Sequence, residues 1–123
     1  MKRVLDVGNC APDHAAVRHM IEANFAGTKI VQAHGAEDAL AALHSERFDL
    51  VFVNRKLDQD YSDGLEVIKR LKADPVAKTV PAMLLTNYPE HQATAVAEGA
   101  ELGFGKLEYD QPETLAKLRR ILG

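Results

Sequence analysis

Several polar groups follow short apolar runs in this sequence. Gly8, Asn9 and Cys10 come after Val4–Val7, Asn54 after Leu50–Val53, Thr86 after Val80–Leu85, and Lys106 soon after Leu102–Phe104. A hydroxyl and an ammonium group brought together would hold anion oxygens. Asn54 is neutral. Gly8, Asn9 and Cys10 supply no carboxylate. The acidic groups lie elsewhere, at Asp6 and in the series Asp58, Asp60 and Asp63. Asp6 falls inside an apolar run, where a carboxylate is costly unless paired. It reads best as facing a wet edge or pairing with a base such as Arg3, with an acidic group near the ends of the strands as the other reading. The aspartate series lacks the Gly and distal Glu of an EF-hand loop, so a solvated, flexible loop is expected. Cys10 and His14 are two potential ligands, too few for a metal site. Cys10 precedes a helix start, which favours thiolate. The five histidines (His14, His19, His34, His44 and His91) are expected at the surface.

The elements that carry these groups follow from the apolar pattern. The short runs Val4–Val7, Lys29–Ala33, Leu50–Val53, Val80–Leu85 and Leu102–Phe104 read as strands buried on both faces, as in a parallel sheet. Between them the spacing is helical. Val17, Met20, Ile21 and Phe25 form one stripe, with Pro12 suited to a first turn and Gly27 to a stop. Ala36, Ala39, Leu40 and Leu43 form the second, with Glu37 and Asp38 in its first turn. Leu65, Ile68 and Leu71 form the third, with Ser62 and Asp63 as capping candidates and an end at Asp74-Pro75. Pro89 to Gly99 is a short Ala-rich fourth helix containing Val96. Asp110 to Leu122 is the fifth, with Asp110 and Glu113 at capping-box spacing. Five β-α units in succession imply right-handed crossovers and a three-layer α/β fold. In such sheets function sits at the carboxyl ends of the strands.

Composition bounds the rest. The 123 residues suggest one domain, 1–123, able to bury roughly two thirds of its unfolded surface without a disulfide or metal. Lys and Arg number 15 against 18 Asp and Glu, a net charge of −3, so no grip on nucleic-acid phosphates is expected. No apolar run approaches the ~20 residues of a membrane helix. The basic start Met1-Lys2-Arg3 meets Asp6 and Gly8 too soon for a signal peptide. The single Cys excludes an internal disulfide and fits a cytoplasmic setting.

With Phe48–Asn54, Ser62-Asp63-Gly64-Leu65, Met83-Leu84-Leu85-Thr86 and Glu98-Gly99-Ala100 before Lys106, the whole chain resembles the receiver domain of bacterial response regulators, the CheY-like family. The resemblance implies a flavodoxin-like (βα)5 fold with strand order 2-1-3-4-5. It also implies a pocket in which two acidic residues and an aspartate hold Mg²⁺. That aspartate accepts a phosphoryl group, and a Thr or Ser and a Lys bind its oxygens. By this resemblance Thr86 and Lys106 match the last two groups, Asn54 stands at the acceptor position, and the acidic pair maps to Gly8 and Asn9 or to Asn9 and Cys10. A structural role for Thr86 and Lys106 is then favoured, with Lys106 pairing near Asn54. The proline usual after the lysine is replaced by Leu107, so a trans bond is expected there. The aromatic switch position maps to Gly103, with Phe104 one residue later. The loop Arg55–Asp63 is two residues longer than usual.

The resemblance therefore implies a degenerate pseudo-receiver, not an enzyme, that binds a protein partner in a bacterial signalling pathway without aspartyl phosphorylation. No cofactor, Mg²⁺, membrane or nucleic acid is expected. Helix 4, strand 5 and helix 5 would form the contact surface through Gln92, Ala95, Glu101, Phe104, Lys117 and Arg120, and the same surface would serve a homodimer. Two alternatives are a phosphoryl acceptor relocated to Asp6 or Asp58, and an anion or small-molecule sensor in the pocket of Gly8, Asn9, Asn54, Thr86 and Lys106.

Overall fold

The computed structural model describes residues 1–123. Five strands, β1 (Arg3–Val7), β2 (Lys29–Ala33), β3 (Leu50–Asn54), β4 (Ala82–Leu85) and β5 (Glu101–Phe104), make one parallel sheet in the order β2-β1-β3-β4-β5. Five helices connect or follow them: α1 (Ala11–Asn24), α2 (Ala36–Ser45), α3 (Gly64–Ala73), α4 (Pro89–Ala97) and α5 (Pro112–Leu122). The flavodoxin-like order expected above is therefore the observed one. None of the helices is long and apolar enough to cross a membrane.

Period-two alternation sorts the strand side chains into two cores. Leu5, Val7, Val51, Val53 and Leu84 meet Ala39, Leu43, Val67, Ile68, Leu71 and Ala95 from α2, α3 and α4. Val4, Leu50, Phe52, Met83, Leu85 and Phe104 meet Val17, Met20, Ile21, Leu118 and Leu122 from α1 and α5. Asp6 shares the second face and so points toward α1. Phe104 reaches that face through an irregularity. Between Met83↔Glu101 and Leu85↔Phe104, β5 carries one more residue than β4. The extra residue turns Phe104 inward, edge-on to Phe52 at 5.5 Å and to Tyr109 at 5.9 Å between ring centroids.

Local chemistry explains most element ends. Asp63 caps α3, its carboxylate accepting the Leu65 N–H at 2.9 Å; Ser62 takes no part. Asp38 reaches back to accept the N–H groups of Gly35 and His34. Gly27 turns the chain after α1 with φ at +83°. Two expectations need correction. The fourth strand starts at Ala82, because a 3-10 turn over Ala77–Thr79 runs up to Val80 and Pro81. The Asp110–Glu113 capping box does not form: the helix begins at Pro112, whose fixed φ suits a first helical position, after a 3-10 turn over Lys106–Glu108. In α4 Val96 is exposed, while Gln92 and Ala95 are buried. All peptide bonds are trans, Lys106–Leu107 included.

Candidate functional site

The carboxyl edge of β1, β3, β4 and β5 gathers Gly8, Asn9, Asn54, Thr86 and Lys106 at one end of the sheet. Asn54 closes β3, and its amide is committed to the chain that follows. Nδ2 donates to the Lys56 carbonyl at 2.6 Å and lies 3.4 Å from the Gly8 carbonyl. After Asn54 the chain loops out and returns as a short hairpin. Leu57 N–H donates to Ser62 O, Lys56 bridges Asp63 in antiparallel fashion, and Gly64 N–H donates to Arg55 O. Gly64 must lack a Cβ, since one would overlap the Asn54 carbonyl. The loop is thus pinned at both ends, not free as its composition suggests.

The hairpin turns Leu57 inward, leaving it only 3% exposed and part of the core shared with α2 and α3. Its side chain lies over Gly8, where a Cβ would overlap it, and Gly8 holds φ at +84°. A left-handed backbone and a covered Cα both favour glycine at this position. Sequence reading missed Leu57, because a lone Leu among Asp, Gln, Lys and Ser carries no periodic signal.

Beneath this edge lies a buried polar network. Asp6 is fully buried, with one carboxylate oxygen 2.7 Å from Asn9 Nδ2 and the other 2.7 Å from His14 Nδ1. Burial pushes its carboxyl above the ordinary value of 3.8, against the pull of these two partners. Asp6 therefore neither faces a wet edge nor pairs with Arg3, whose guanidinium meets Glu46. His14 is correspondingly half-buried and partnered, not a free surface histidine. The Asn9 Oδ1 and Tyr109 hydroxyl atoms are buried without a protein partner. Burial, with Asp6 and Asp13 nearby, raises the Tyr109 phenol well above its ordinary value.

Lys106 does not pair near Asn54. Its Nζ donates to Asp13 Oδ2 at 2.6 Å, and this hydrogen bond holds the Asp13 carboxyl below its ordinary value. Cys10 is exposed ahead of α1 and makes no capping hydrogen bond. Thr86 is buried and its Oγ1 accepts the Tyr88 N–H at 3.3 Å.

A family profile for the response regulator receiver domain matches residues 10–106. The chain belongs to the response regulator receiver family. Solved receivers share its fold over nearly their full length. The chemotaxis response regulator CheY4 of Vibrio cholerae is 28% identical, with a TM-score of 0.74 and 99% of both chains covered. The signal receiver domain of a DNA-binding response regulator from Colwellia psychrerythraea is 22% identical, with a TM-score of 0.79, 98% of this chain and 97% of that one covered. The receiver domain of the Pseudomonas aeruginosa sensor histidine kinase PA1611, whose structure carries a coordinated magnesium ion, is 18% identical at a TM-score of 0.70, covering 98% and 93%. No curated protein matches the sequence significantly. As a receiver, the protein is a module of two-component signalling that works with protein partners.

The receiver face formed by α4, β5 and α5 is organised around Gln92. Its buried amide donates to the carbonyls of Leu84 (2.9 Å) and Thr86 (3.2 Å) and accepts the Gly103 N–H (2.9 Å). One side chain thereby ties α4 to β4 and β5. A Cβ on Gly103 would overlap the Leu84 carbonyl, so the position matching the family's aromatic switch has no room for a side chain. This corrects the expected contact surface. Gln92, Ala95 and Phe104 are buried and face inward. Glu101 and Arg120 are exposed, and Lys117 is half-buried with Nζ on the Gly103 carbonyl at 3.0 Å. The large apolar groups of these segments that do reach solvent are Tyr88, Val96, Leu102 and Leu107. Leu102, Leu107 and Lys117 border an open groove of about 440 Å³.

The loop aspartates serve separate local roles and do not converge. Asp58 faces His34 Nδ1 at 3.2 Å, Asp60 accepts the Ser62 N–H, and Asp63 takes Leu65 N–H and Arg55. Across the chain no three His, Cys, Asp or Glu side chains are placed to hold a metal ion. His44 pairs with Asp74 at the surface.

Proposed function

We propose that this receiver is a degenerate one, a module that signals by binding a protein without aspartyl phosphorylation or bound Mg²⁺. The observation that carries this reading is the Asn54 amide, which donates to the Lys56 carbonyl where the family places a nucleophilic carboxylate. Gly8 and Asn9 add no carboxylate, and Leu57 occupies the space above Gly8. Metal and lysine normally offset the charge of phosphoryl transfer. Here Lys106 is already paired with Asp13. The relocated-acceptor alternatives gain no support: Asp6 is out of reach of a phosphodonor, and Asp58 is engaged with His34. An anion sensor gains none either, since the cation that would attract an anion is neutralised.

The partner would meet the face of Tyr88, Leu102, Leu107, Glu101 and Arg120, in a cytoplasmic setting. A second copy is the other occupant of this face. Incubation with a small-molecule phosphodonor and Mg²⁺, followed by intact mass, tests the reading. No added phosphoryl group is expected on the wild-type protein or on Asn54→Asp. Stoichiometric labelling of the wild type would overturn it.

A further inference from the structure

Gln92 does more than fill space under α4. Between Met83↔Glu101 and Leu85↔Phe104 the pairing of β4 and β5 is interrupted by an extra residue, and the Gln92 carboxamide lies at the interruption. Nε2 donates to the Leu84 carbonyl and Oε1 accepts the Gly103 N–H, both at 2.9 Å, so the amide forms a side-chain rung between the two strands. Nε2 also donates to the Thr86 carbonyl at 3.2 Å. Main-chain pairing resumes one step on, where the Thr86 N–H donates to the Phe104 carbonyl. The rung fits because Gly103 is bare: a Cβ there would overlap the Leu84 carbonyl and crowd Gln92 Oε1.

The rest of α4 holds to the sheet weakly. Its buried residues are Gln92 and Ala95, whereas α3 buries Val67, Ile68 and Leu71, and α5 buries Leu118 and Leu122. One methyl group contributes far less apolar burial than those branched side chains. On the outside, Tyr88 at the start of the helix and Val96 near its end are exposed.

We propose that α4 is a detachable element of the partner face, docked on the sheet by the Gln92 amide, and that its docking and release is the conformational change through which this face responds to a partner. The inference deepens the proposed function, on whose partner face it rests. Release parts the amide from two carbonyls and one N–H at once. A partner gripping Tyr88 and Val96 holds the same helix that carries Gln92, and reaches Thr86 at the end of β4 and Gly103 in β5 through one side chain. Elements with little buried apolar surface open at lower free energy than the whole fold.

Amide hydrogen exchange of the full-length protein, followed residue by residue by NMR, reads the docking. In the wild type, residues 93–97 of α4 should exchange faster than residues 117–122 of α5. Gln92→Met keeps the length and apolar contact of the side chain but has no amide. It should speed exchange in α4 roughly tenfold or more, while α5 changes by less than about threefold. Lys117→Met removes the neighbouring bond to the Gly103 carbonyl and leaves the amide in place, so α4 should stay within about twofold of wild type. Unchanged α4 exchange in Gln92→Met would overturn the proposal, because packing alone would then dock the helix. Equal acceleration in α4 and α5 would also overturn it, since Gln92 would then support the whole fold. So would a Lys117→Met variant that frees α4 as fully as Gln92→Met, or wild-type α4 amides as protected as those of α5, a comparison that needs no variant. Phosphoryl labelling of the wild type, by contrast, bears on the proposed function and leaves these rates to judge α4.

Discussion

Leu57 lies on Gly8 so closely that Gly8 has no space for a Cβ, although the two residues belong to different loops 49 positions apart (57 − 8). The contact joins Gly8, where the family's acidic pair maps, to the loop that follows β3. An acidic residue at Gly8 would require the Leu57 side chain to move.

Gly8→Asp should therefore destabilise the protein by about 2–4 kcal/mol, combining a left-handed backbone with an overfilled site. Urea unfolding would measure it. In a Leu57→Ala background the overlap with Cδ2 disappears while the contacts with Cα and Cβ remain, so the loss should shrink toward its backbone part. Equal losses in both backgrounds would show that the two residues are not coupled.

The second expectation concerns pH. Burial raises the Asp6 carboxyl above 3.8, so the folded chain keeps a proton that the unfolded chain has released. Folding stability therefore loses ground as pH rises from about 4 through the raised value, and the cost persists above it. Asp6→Asn removes this dependence while keeping an acceptor for Asn9. The stability of Asp6→Asn relative to wild type should grow with pH from about 4 upward. Lowered carboxyls such as Asp13 and Asp38 act in the opposite direction but are shared by both proteins, so they cancel in the difference. A difference that stays flat across paired denaturation curves would refute the assignment.

Gln92 supplies three buried hydrogen bonds from one side chain. Gln92→Leu leaves the Gly103 N–H and two carbonyls unpaired in the interior, at a cost of about 2–3 kcal/mol. Faster amide exchange at Gly103 than at Val51, in the centre of the sheet, would place the damage between α4 and β5.

Lys106→Ala should matter little to stability, less than about 1 kcal/mol, because the pair with Asp13 is more than a third exposed on both sides. What should move is Asp13 itself. Without the ammonium its carboxyl should return toward 3.8, followed by NMR of the side-chain carbon. An unmoved Asp13 would mean that Cys10 and the helix start hold it instead.

Much of this molecule is legible in the sequence. Five short apolar runs separated by helical stripes determine the strands, the helices and the sidedness of the cores, because burial on both faces and burial on one face leave different periods. The line of Asn54, Thr86 and Lys106 at the strand ends is equally readable, since it depends only on where each run stops. The partners of these residues are not. Lys106 meets Asp13 across 93 positions, and Asp6 meets His14 only because α1 packs on the even-numbered face of β1. Gln92 looks like a surface residue of an Ala-rich helix until β5, with its extra residue, brings the Gly103 N–H beside it. Leu57 sits among polar neighbours with no pattern to mark it as core. Periodicity records how much of a side chain is buried, a property summed over its whole surroundings. A hydrogen bond or a plug depends on one particular atom within a few ångströms, and only the packing of distant segments decides which atom that is.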